Sequence, residues 1–235
     1  MASIYLVRHG QASFGAANYD QLSTLGQRQA DLTGEFFARV GLSFDAAYAG
    51  SLSRQQETGQ RVLASQTLAC DLRLDERFDE VNNQEQIDAL LPGLCAADNV
   101  LADIVQRDSK SSKDYQKIIA AVFNAWVNPD CNATGIMPWS LYRDGVEAAL
   151  KDIMTDVGAG KTTAVFTSGG TIATAVGLAL GVTADGFYQF YEPVMNCSIT
   201  RLIYSSSRVS LSNFNDVAHL QLIGADLNES LVTYR

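Results

Sequence analysis

The chain has 235 residues, of which 47% are apolar and 18% are charged, and its formal net charge is −9. A chain of this size can bury a large core, and no stretch approaches the 18 uninterrupted apolar residues typical of a membrane span. The acidic balance disfavours nucleic-acid binding, which needs a basic face. An anionic ligand would therefore have to be attracted by local arginines.

The cysteines and the first residues of the chain indicate the cellular compartment. Cys70, Cys95, Cys131 and Cys197 are widely separated and include no C-x-x-C pair, which disfavours a zinc framework and predicts free thiols. The start of the chain has no basic region, and its apolar run is far too short for a signal peptide. We therefore expect a cytoplasmic protein.

The first third of the chain alternates between strand and helix patterns. In chain order the pattern predicts a strand at Ser3–Val7, a helix over residues 22–40, a strand at Phe44–Gly50, a helix at Leu52–Ala64 and a short edge strand at Cys70–Leu74. Residues 81–139 interrupt this alternation and are mostly helical and polar. They are predicted to form a helical cap inserted in the core.

Alternation returns after the cap. The pattern predicts a helix at Leu141–Val157, a strand at Thr162–Thr167, a helix from Gly169 to about Gly181, and strands at Ser198–Ser205 and Arg208–Asn213. Strands that alternate with helices form mostly parallel sheets covered on both faces. The sequence therefore predicts one α/β domain over residues 1–235, a three-layer sandwich with an inserted cap.

Chemically active residues follow three of the predicted strands. Arg8-His9-Gly10 follows the first, Ser51 and then Arg54 follow the second, and Ser168-Gly169-Gly170 follows the strand at Thr162–Thr167. Ligands of open α/β sheets bind beyond the carboxyl ends of the strands. Neutral imidazole is a good nucleophile, arginine forks match phosphate oxygens, and backbone amides at a helix N-terminus bind anions. This combination predicts a phosphate-handling site.

At these residues the sequence resembles the histidine phosphatase superfamily, which includes the cofactor-dependent phosphoglycerate mutases. The matching segments are Leu6-Val-Arg-His-Gly-Gln11, Leu22-Ser-Thr-Leu-Gly26-Gln-Arg-Gln-Ala30, Ser51-Leu-Ser-Arg54, Phe78-Asp-Glu80, Trp139-Ser-Leu-Tyr-Arg-Asp-Gly-Val146 and Asn215-Asp-Val-Ala-His-Leu220. They follow in the family's order over nearly the whole chain, and only the cap is unmatched.

The resemblance implies a role for each matched residue. His9 would attack phosphorus and become phosphohistidine, and Arg8 and Arg54 would hold the phosphoryl oxygens. Glu80 would protonate the leaving oxygen and later help to activate water. The expected phosphate-binding residues also include Gly10, Ser168 and Gly169. No metal and no cofactor are expected, and the partner is a small phosphorylated substrate or phosphate itself.

The largest departure from the family pattern lies at the second histidine, where this chain has Ser168. Serine donates one hydrogen bond and carries no charge, and losing a charge-assisted donor typically costs on the order of 10²–10³ in rate. Restoring the imidazole by Ser168→His is then expected to raise turnover. Two smaller departures are Gly15, where the family often has asparagine, and Glu57, which replaces a glutamine and places negative charge near the site.

The sequence leaves several alternatives open. Hydrolysis of phosphomonoesters is the favoured reaction, and the alternatives are a weak or inactive phospho-ligand-binding protein and, less favoured, a mutase. Glu76 and Glu85 compete with Glu80 as the proton donor, Ser168 could serve only as a helix cap, and His219 is expected to be structural. The sequence does not determine the substrate or the oligomeric state.

The segment Gly158-Ala-Gly-Lys-Thr162 is similar to part of a phosphate-binding P-loop. It lacks the earlier glycine, because Thr155 stands there, and it leads from a helix into a strand rather than the reverse. It is interpreted as a helix-terminating turn. Ser168 is also not a hydrolase-type nucleophile, since the bulky Phe166 stands where that elbow requires glycine.

Overall fold

The structure is a computed structural model that describes residues 1–13, 20–205 and 208–234, so Gly15 lies outside the described residues. Its strands are β1 Ala2–Arg8, β2 Ala46–Ala49, β3 Leu72–Leu74, β4 Thr162–Thr167, β5 Ile199–Tyr204 and β6 Val209–Asp216. Its helices are α1 Thr24–Arg39, α2 Ser53–Ala64, α3 Asn83–Ala97, α4 Asn99–Gln106, α5 Ser112–Val127, α6 Trp139–Asp156, α7 Gly169–Leu180, α8 Tyr188–Tyr191 and α9 Ala218–Leu227. Short 3-10 turns lie at Glu76–Phe78 and Ala184–Gly186.

The described strands form one six-stranded sheet in the order β3-β2-β4-β1-β5-β6. β1, β2, β3 and β4 pair in parallel, whereas β5 runs antiparallel to both β1 and β6. The predicted mostly parallel α/β sheet is confirmed. Since β1 and β2 flank β4 and run in its direction, their carboxyl ends meet at one edge of the sheet.

The two faces of the sheet are covered because the strands alternate their side chains. In β1, Ile4 and Leu6 pack into one apolar cluster, whereas Val7 packs into the cluster on the other face. The first cluster receives side chains from α5, α6 and α7, and the second receives Phe37 of α1 and Val62 of α2. The sheet is therefore the middle of three layers.

The segment between β3 and α6, which includes most of residues 81–139, contains the helices α3, α4 and α5. α3, α4 and α5 share an apolar cluster of their own, to which Leu101, Ile104, Ile118 and Val122 contribute. The other face of α5 joins the main core, where Trp126 packs edge to face on Trp139 at a centroid separation of 5.1 Å. α5 thus connects the inserted helices to the layer above the sheet.

The segment Gly158-Ala-Gly-Lys-Thr162 is the turn between α6 and β4, as interpreted from its sequence. Gly158 and Gly160 have φ angles of +83° and +77°, in the left-handed region that favours glycine. Within the described residues, no helix has the length and apolar character needed to cross a membrane.

Candidate active site

His9 lies just beyond the end of β1, against the end of β4. Its backbone N–H donates to the Thr167 carbonyl at 2.8 Å, which extends the parallel pairing of Arg8 with Thr167. On the other side, the His9 carbonyl accepts from Asn196 Nδ2 at 3.1 Å. The backbone that carries the imidazole is thus held from both sides.

Gly10 allows the N-terminal turn of α1 to approach the sheet edge. A Cβ on Gly10 would overlap the Gly26 carbonyl, and one on Gly26 would overlap the backbone of Gln11. The Gly10 N–H donates to Thr58 Oγ1 at 3.1 Å, so this predicted anion donor is already hydrogen-bonded within the protein. Gly10 therefore contributes to the site by leaving space for the turn of α1.

The His9 side chain is buried and its tautomer is set by its neighbours. Nδ1 lies 2.7 Å from the Gly10 carbonyl and donates to it, so Nε2 presents a lone pair, which accepts from Arg54 Nε at 3.2 Å. Burial, followed by the positive charges of Arg8 and Arg54, holds the pKa of His9 well below its usual value of 6.5. His9 is therefore neutral near pH 7, which is the state that a nucleophilic imidazole requires.

Arg54 lies on the first turn of α2 and is only 8% exposed. Its Nη1 forms a salt bridge with Asp20 at 2.7 Å, and the other Asp20 oxygen accepts the Ser53 N–H at 2.8 Å. Asp20 therefore fixes both the guanidinium and the start of α2. The geometry places Arg54 against Nε2 of His9, and its expected role in phosphate binding stays a prediction.

Arg8 faces the C-terminal segment with one of its nitrogens. Nη1 donates to the carbonyls of Val194 and, at 3.0 Å, of Tyr234, and the guanidinium carbon lies 5.9 Å from the centre of the Tyr234 ring. The charge of Arg8 also contributes, after burial, to the lowered pKa of His9 and opposes the rise in the pKa of Glu80 that burial causes. Arg8 thus combines a position near the site with a structural contact to the end of the chain.

Glu80 is the glutamate that the structure brings to the site, since Glu76 and Glu85 are exposed. Its Oε1 accepts the backbone N–H groups of Val81 and Gly170, both at 3.0 Å. Burial raises the pKa of Glu80 above its ordinary value, although Arg54 and Arg8 oppose that shift. Among the described residues no donor contacts Oε2, so this oxygen can carry an acidic proton.

The segment that carries Glu80 is fixed by the ends of three elements. The Phe78 side chain is fully buried, and its carbonyl accepts from Gln55 Nε2 at 3.1 Å and from Thr167 Oγ1. Asp79 accepts from both the backbone N–H and the hydroxyl of Ser51. Since Ser51 follows β2 and Thr167 ends β4, the proton-donor candidate is held at the same sheet edge as His9.

Ser168 lies at the N-cap position of α7 but its side chain does not cap the helix. Its Oγ accepts from Gln55 Nε2 at 2.8 Å, so the interpretation of Ser168 as a simple helix cap is wrong. The Gly170 N–H is instead taken by Glu80. A Cβ on Gly169 would contact the Tyr191 ring at 3.2 Å, so this glycine makes room for an aromatic side chain.

Three residues near the site are not indicated by the sequence, and a fourth, Glu57, has contacts that differ from the expected ones. Asp20, Gln55 and Tyr191 leave no local signal, because their partners lie in other elements. Glu57, expected to place negative charge near the site, accepts from Arg61 at 3.0 Å and from Gln27 at 2.7 Å. Its charge is therefore engaged on the surface of α1 and α2.

His219 is structural, as predicted. Its ring is buried and stacks on Phe36 with centroids 5.0 Å apart, and Nε2 lies 3.0 Å from Thr33 Oγ1. Burial lowers the pKa of His219 to about 4. In the described part of the chain, no group of three or more His, Cys, Asp and Glu side chains is arranged to hold a metal ion.

Comparison with known proteins supports the resemblance seen in the sequence. Residues 4–87 match the profile of the histidine phosphatase superfamily, branch 1. This segment contains His9, Arg54 and Glu80. No curated protein matches the chain in sequence.

Solved structures show the same fold over almost the whole chain. A phosphoserine phosphatase mutant from Entamoeba histolytica, in complex with phosphoserine, is 18% identical, with a TM-score of 0.65 over 94% of this chain and 100% of that one. YhfR of Bacillus stearothermophilus is 19% identical, with a TM-score of 0.66 over 94% and 100%. A mycobacterial glucosyl-3-phosphoglycerate phosphatase in complex with VO3 is 17% identical, with a TM-score of 0.64 over 91% and 98%.

Proposed function

We propose, from the match of residues 4–87 to the histidine phosphatase superfamily, that this chain is a phosphomonoesterase that acts through a phosphohistidine on His9. The observation that carries the proposal is the state of His9. Its Nδ1 donates to the Gly10 carbonyl, while its unprotonated Nε2 lies beside Arg54 in a buried site. A lone pair held next to a guanidinium suits attack on an anionic phosphoryl group.

In the first step His9 Nε2 attacks phosphorus, and the bond between phosphorus and the ester oxygen breaks. Glu80 Oε2 gives its proton to the leaving oxygen, which departs as an alcohol, and a bond between Nε2 and phosphorus is formed. Arg54 exchanges its contact with Nε2 for the phosphoryl oxygens. The raised pKa of Glu80 supports its role as the acid.

In the second step water attacks phosphorus and the Nε2–phosphorus bond breaks. The Glu80 carboxylate takes a proton from that water, so inorganic phosphate leaves and both His9 and Glu80 return to their initial states. Arg8 and Arg54 supply the positive charge that the transferring group requires, and no metal enters either step.

The ligand in this proposal is a small phosphorylated molecule. Two of the similar structures hold phosphoserine and VO3, and these ligands belong to those proteins. The present chain matches them at 18% and 17% identity, so the alcohol part of its own substrate is left open.

The test combines turnover with trapping of the intermediate. The protein is incubated with p-nitrophenyl phosphate and with a panel of sugar, amino-acid and carboxylic-acid phosphates, and an acid-labile phosphoenzyme is sought after rapid alkaline quench. Wild type is expected to release phosphate and to form the phosphoenzyme, and His9→Ala is expected to do neither. His219→Gln is the matched control, since it removes the other histidine and is expected to retain both activities.

A second candidate, a phospho-ligand-binding protein with little turnover, is favoured by one observation. Ser168, at the position where the sequence resemblance implies a second histidine, is uncharged and fully buried. Orthovanadate binding that depends on His9, together with no turnover across the panel, would select this candidate. A mutase would instead isomerise a phosphoglycerate when a bisphosphoglycerate primer is added.

A further inference from the structure

We propose that Gln55 is a positioning residue that aims the hydroxyl of Ser168 at the transferring phosphoryl group, so that Gln55 and Ser168 together replace the second histidine. This inference rests on the proposed function, because it assigns a donor to the same phosphate site. Neither residue type in isolation indicates the pairing, and Gln55 lies 113 positions from Ser168 in the sequence.

The Gln55 side chain is fully buried directly after Arg54 on α2. Its Nε2 donates one hydrogen to the Phe78 carbonyl at 3.1 Å and the other to Ser168 Oγ at 2.8 Å. The amide therefore touches two parts of the site at once, namely the segment that carries Glu80 and the end of β4. Its orientation is fixed because both of its hydrogens are used.

The hydrogen bond from Gln55 sets what the Ser168 hydroxyl can do. One lone pair of Oγ is occupied, and within the described chain this is the only hydrogen bond that Oγ makes. The hydroxyl hydrogen is not used in capping α7, since the N–H groups at a helix N-terminus are donors and the Ser168 side chain makes no cap hydrogen bond. Ser168 lies at the end of β4, beside Thr167, whose carbonyl accepts from the His9 N–H at 2.8 Å. An incoming phosphoryl oxygen on His9 can accept this hydrogen.

Packing alone does not account for glutamine at position 55. Gln55 Oε1 is buried and has no hydrogen-bond partner, which is unfavourable for a carbonyl oxygen. A Cβ on Gly50 would overlap this oxygen, so the adjoining chain carries a glycine that leaves room for the amide. An apolar side chain such as methionine would fill the same volume without that cost. Donation from Nε2 is what glutamine adds.

The contact also makes Gln55 incompatible with histidine at position 168. An imidazole on Ser168 would extend several bond lengths past Oγ into a fully buried region where the Gln55 amide lies only 2.8 Å from that oxygen. We therefore expect Ser168→His alone to fail, in contrast to the expectation drawn from the sequence. Ser168→His combined with Gln55→Ala opens the space and is expected to be more active than either single variant.

The experiment is a double-mutant cycle that is read in two ways, by the kcat and KM of p-nitrophenyl phosphate turnover and by the affinity for orthovanadate. Ser168→Ala is expected to lower kcat by about 10²-fold with a smaller change in KM, since a donor to the transferring group is lost. Gln55→Met, which keeps volume but cannot donate, is expected to lower kcat by about tenfold. The double variant that combines Gln55→Met with Ser168→Ala is expected to be no slower than Ser168→Ala, because Gln55 acts through the Ser168 hydroxyl. The control is Gln56→Ala at the neighbouring position, where the native Gln56 amide donates to the Ser51 carbonyl.

Three results would overturn the positioning role. They are full activity of Gln55→Met, multiplicative losses in the double variant, and unchanged kcat and vanadate affinity in Ser168→Ala. Each variant is first checked for cooperative urea unfolding, so that a loss of fold is not read as a loss of donation. If wild type binds orthovanadate without turnover, the cycle is completed on affinity and the same pattern decides. If wild type neither turns over nor binds orthovanadate, the pair has no phosphoryl group to serve and the inference fails with the proposed function.

Discussion

Glu80 Oε1 lies 3.0 Å from the backbone nitrogen of Gly170 and accepts its N–H, so a side chain from the segment after β3 caps the N-terminus of α7. The position of a helix N-terminus favours a carboxylate there. A Cβ on Gly170 would overlap this oxygen and would lie 3.3 Å from Val81 Cγ1. Glycine at position 170 is therefore a condition for Glu80 to reach the site.

Gly170→Ala is expected to displace the Glu80 carboxylate and so to reduce turnover of alkyl phosphates by 10-fold or more, while orthovanadate still binds to His9 and Arg54. The matched control is Gly145→Ala in α6, where the added Cβ would meet only Arg77 Cγ at 3.9 Å. The control is expected to retain turnover and to be slightly more stable, since alanine favours a helix. Equal turnover in the two variants would contradict the steric role of Gly170.

Glu80→Gln tests the assignment of the proton donor through the leaving group. A carboxamide cannot protonate the departing oxygen, so the loss is expected to be on the order of 10²–10⁴ for an alkyl phosphate. The loss should be much smaller for p-nitrophenyl phosphate, whose leaving group needs little protonation. In wild type, kcat/KM for the alkyl phosphate is expected to fall as pH rises through the raised pKa of Glu80. A similar loss for both substrates would argue against Glu80 as the acid.

Arg8→Ala is expected to lower stability as well as phosphate binding, because Arg8 Nη1 donates to the carbonyls of Val194 and Tyr234. Hydrogen bonds of this charge-assisted kind contribute about 1.5–3 kcal/mol. Arg28→Ala is the matched control, since Arg28 also contacts the C-terminal segment, through an exposed salt bridge with Glu229 at 3.1 Å. It is expected to cost less than about 1 kcal/mol. Urea unfolding measures both, and equal effects would refute the structural role of Arg8.

The fold and the candidate nucleophile were accessible from sequence because their signals are local. β1 and β4 are short runs of apolar and β-branched residues, and Arg8-His9-Gly10 lies directly after the first of them. Strand alternation with helices then brings the carboxyl ends of parallel strands together. The position of Arg54 can be predicted in the same way, since Arg54 lies in the first turn of the helix after β2.

The remaining contacts could not be predicted, because they join residues that are far apart in sequence and leave no periodic trace. Glu80 and Gly170 are 90 positions apart, and Arg8 and Tyr234 are 226 apart. The same separation in sequence explains why the hydrogen-bond partners of two glycines could not be predicted. The sequence predicts anion donors at Gly10 and at the Gly169-Gly170 amides, but Thr58 accepts the N–H of Gly10 and Glu80 accepts that of Gly170.

The two histidines predict how stability depends on pH. Burial lowers the folded-state pKa of His219 to about 4 and that of His9 well below 6.5, whereas the unfolded chain binds protons near 6.5. Between the folded-state and unfolded-state pKa values of each histidine, the unfolded chain binds more protons than the folded chain. The free energy of unfolding therefore rises with pH over this range and reaches its full value above about 6.5. The share of His219 is on the order of 3 kcal/mol across the window from 6.5 down to about 4. His219→Gln is expected to lose this share of the slope in urea unfolding at pH 4.5 to 7. His9→Ala serves as a control that removes only the other histidine, and a curve for His219→Gln that runs parallel to wild type would show that His219 titrates normally in the fold.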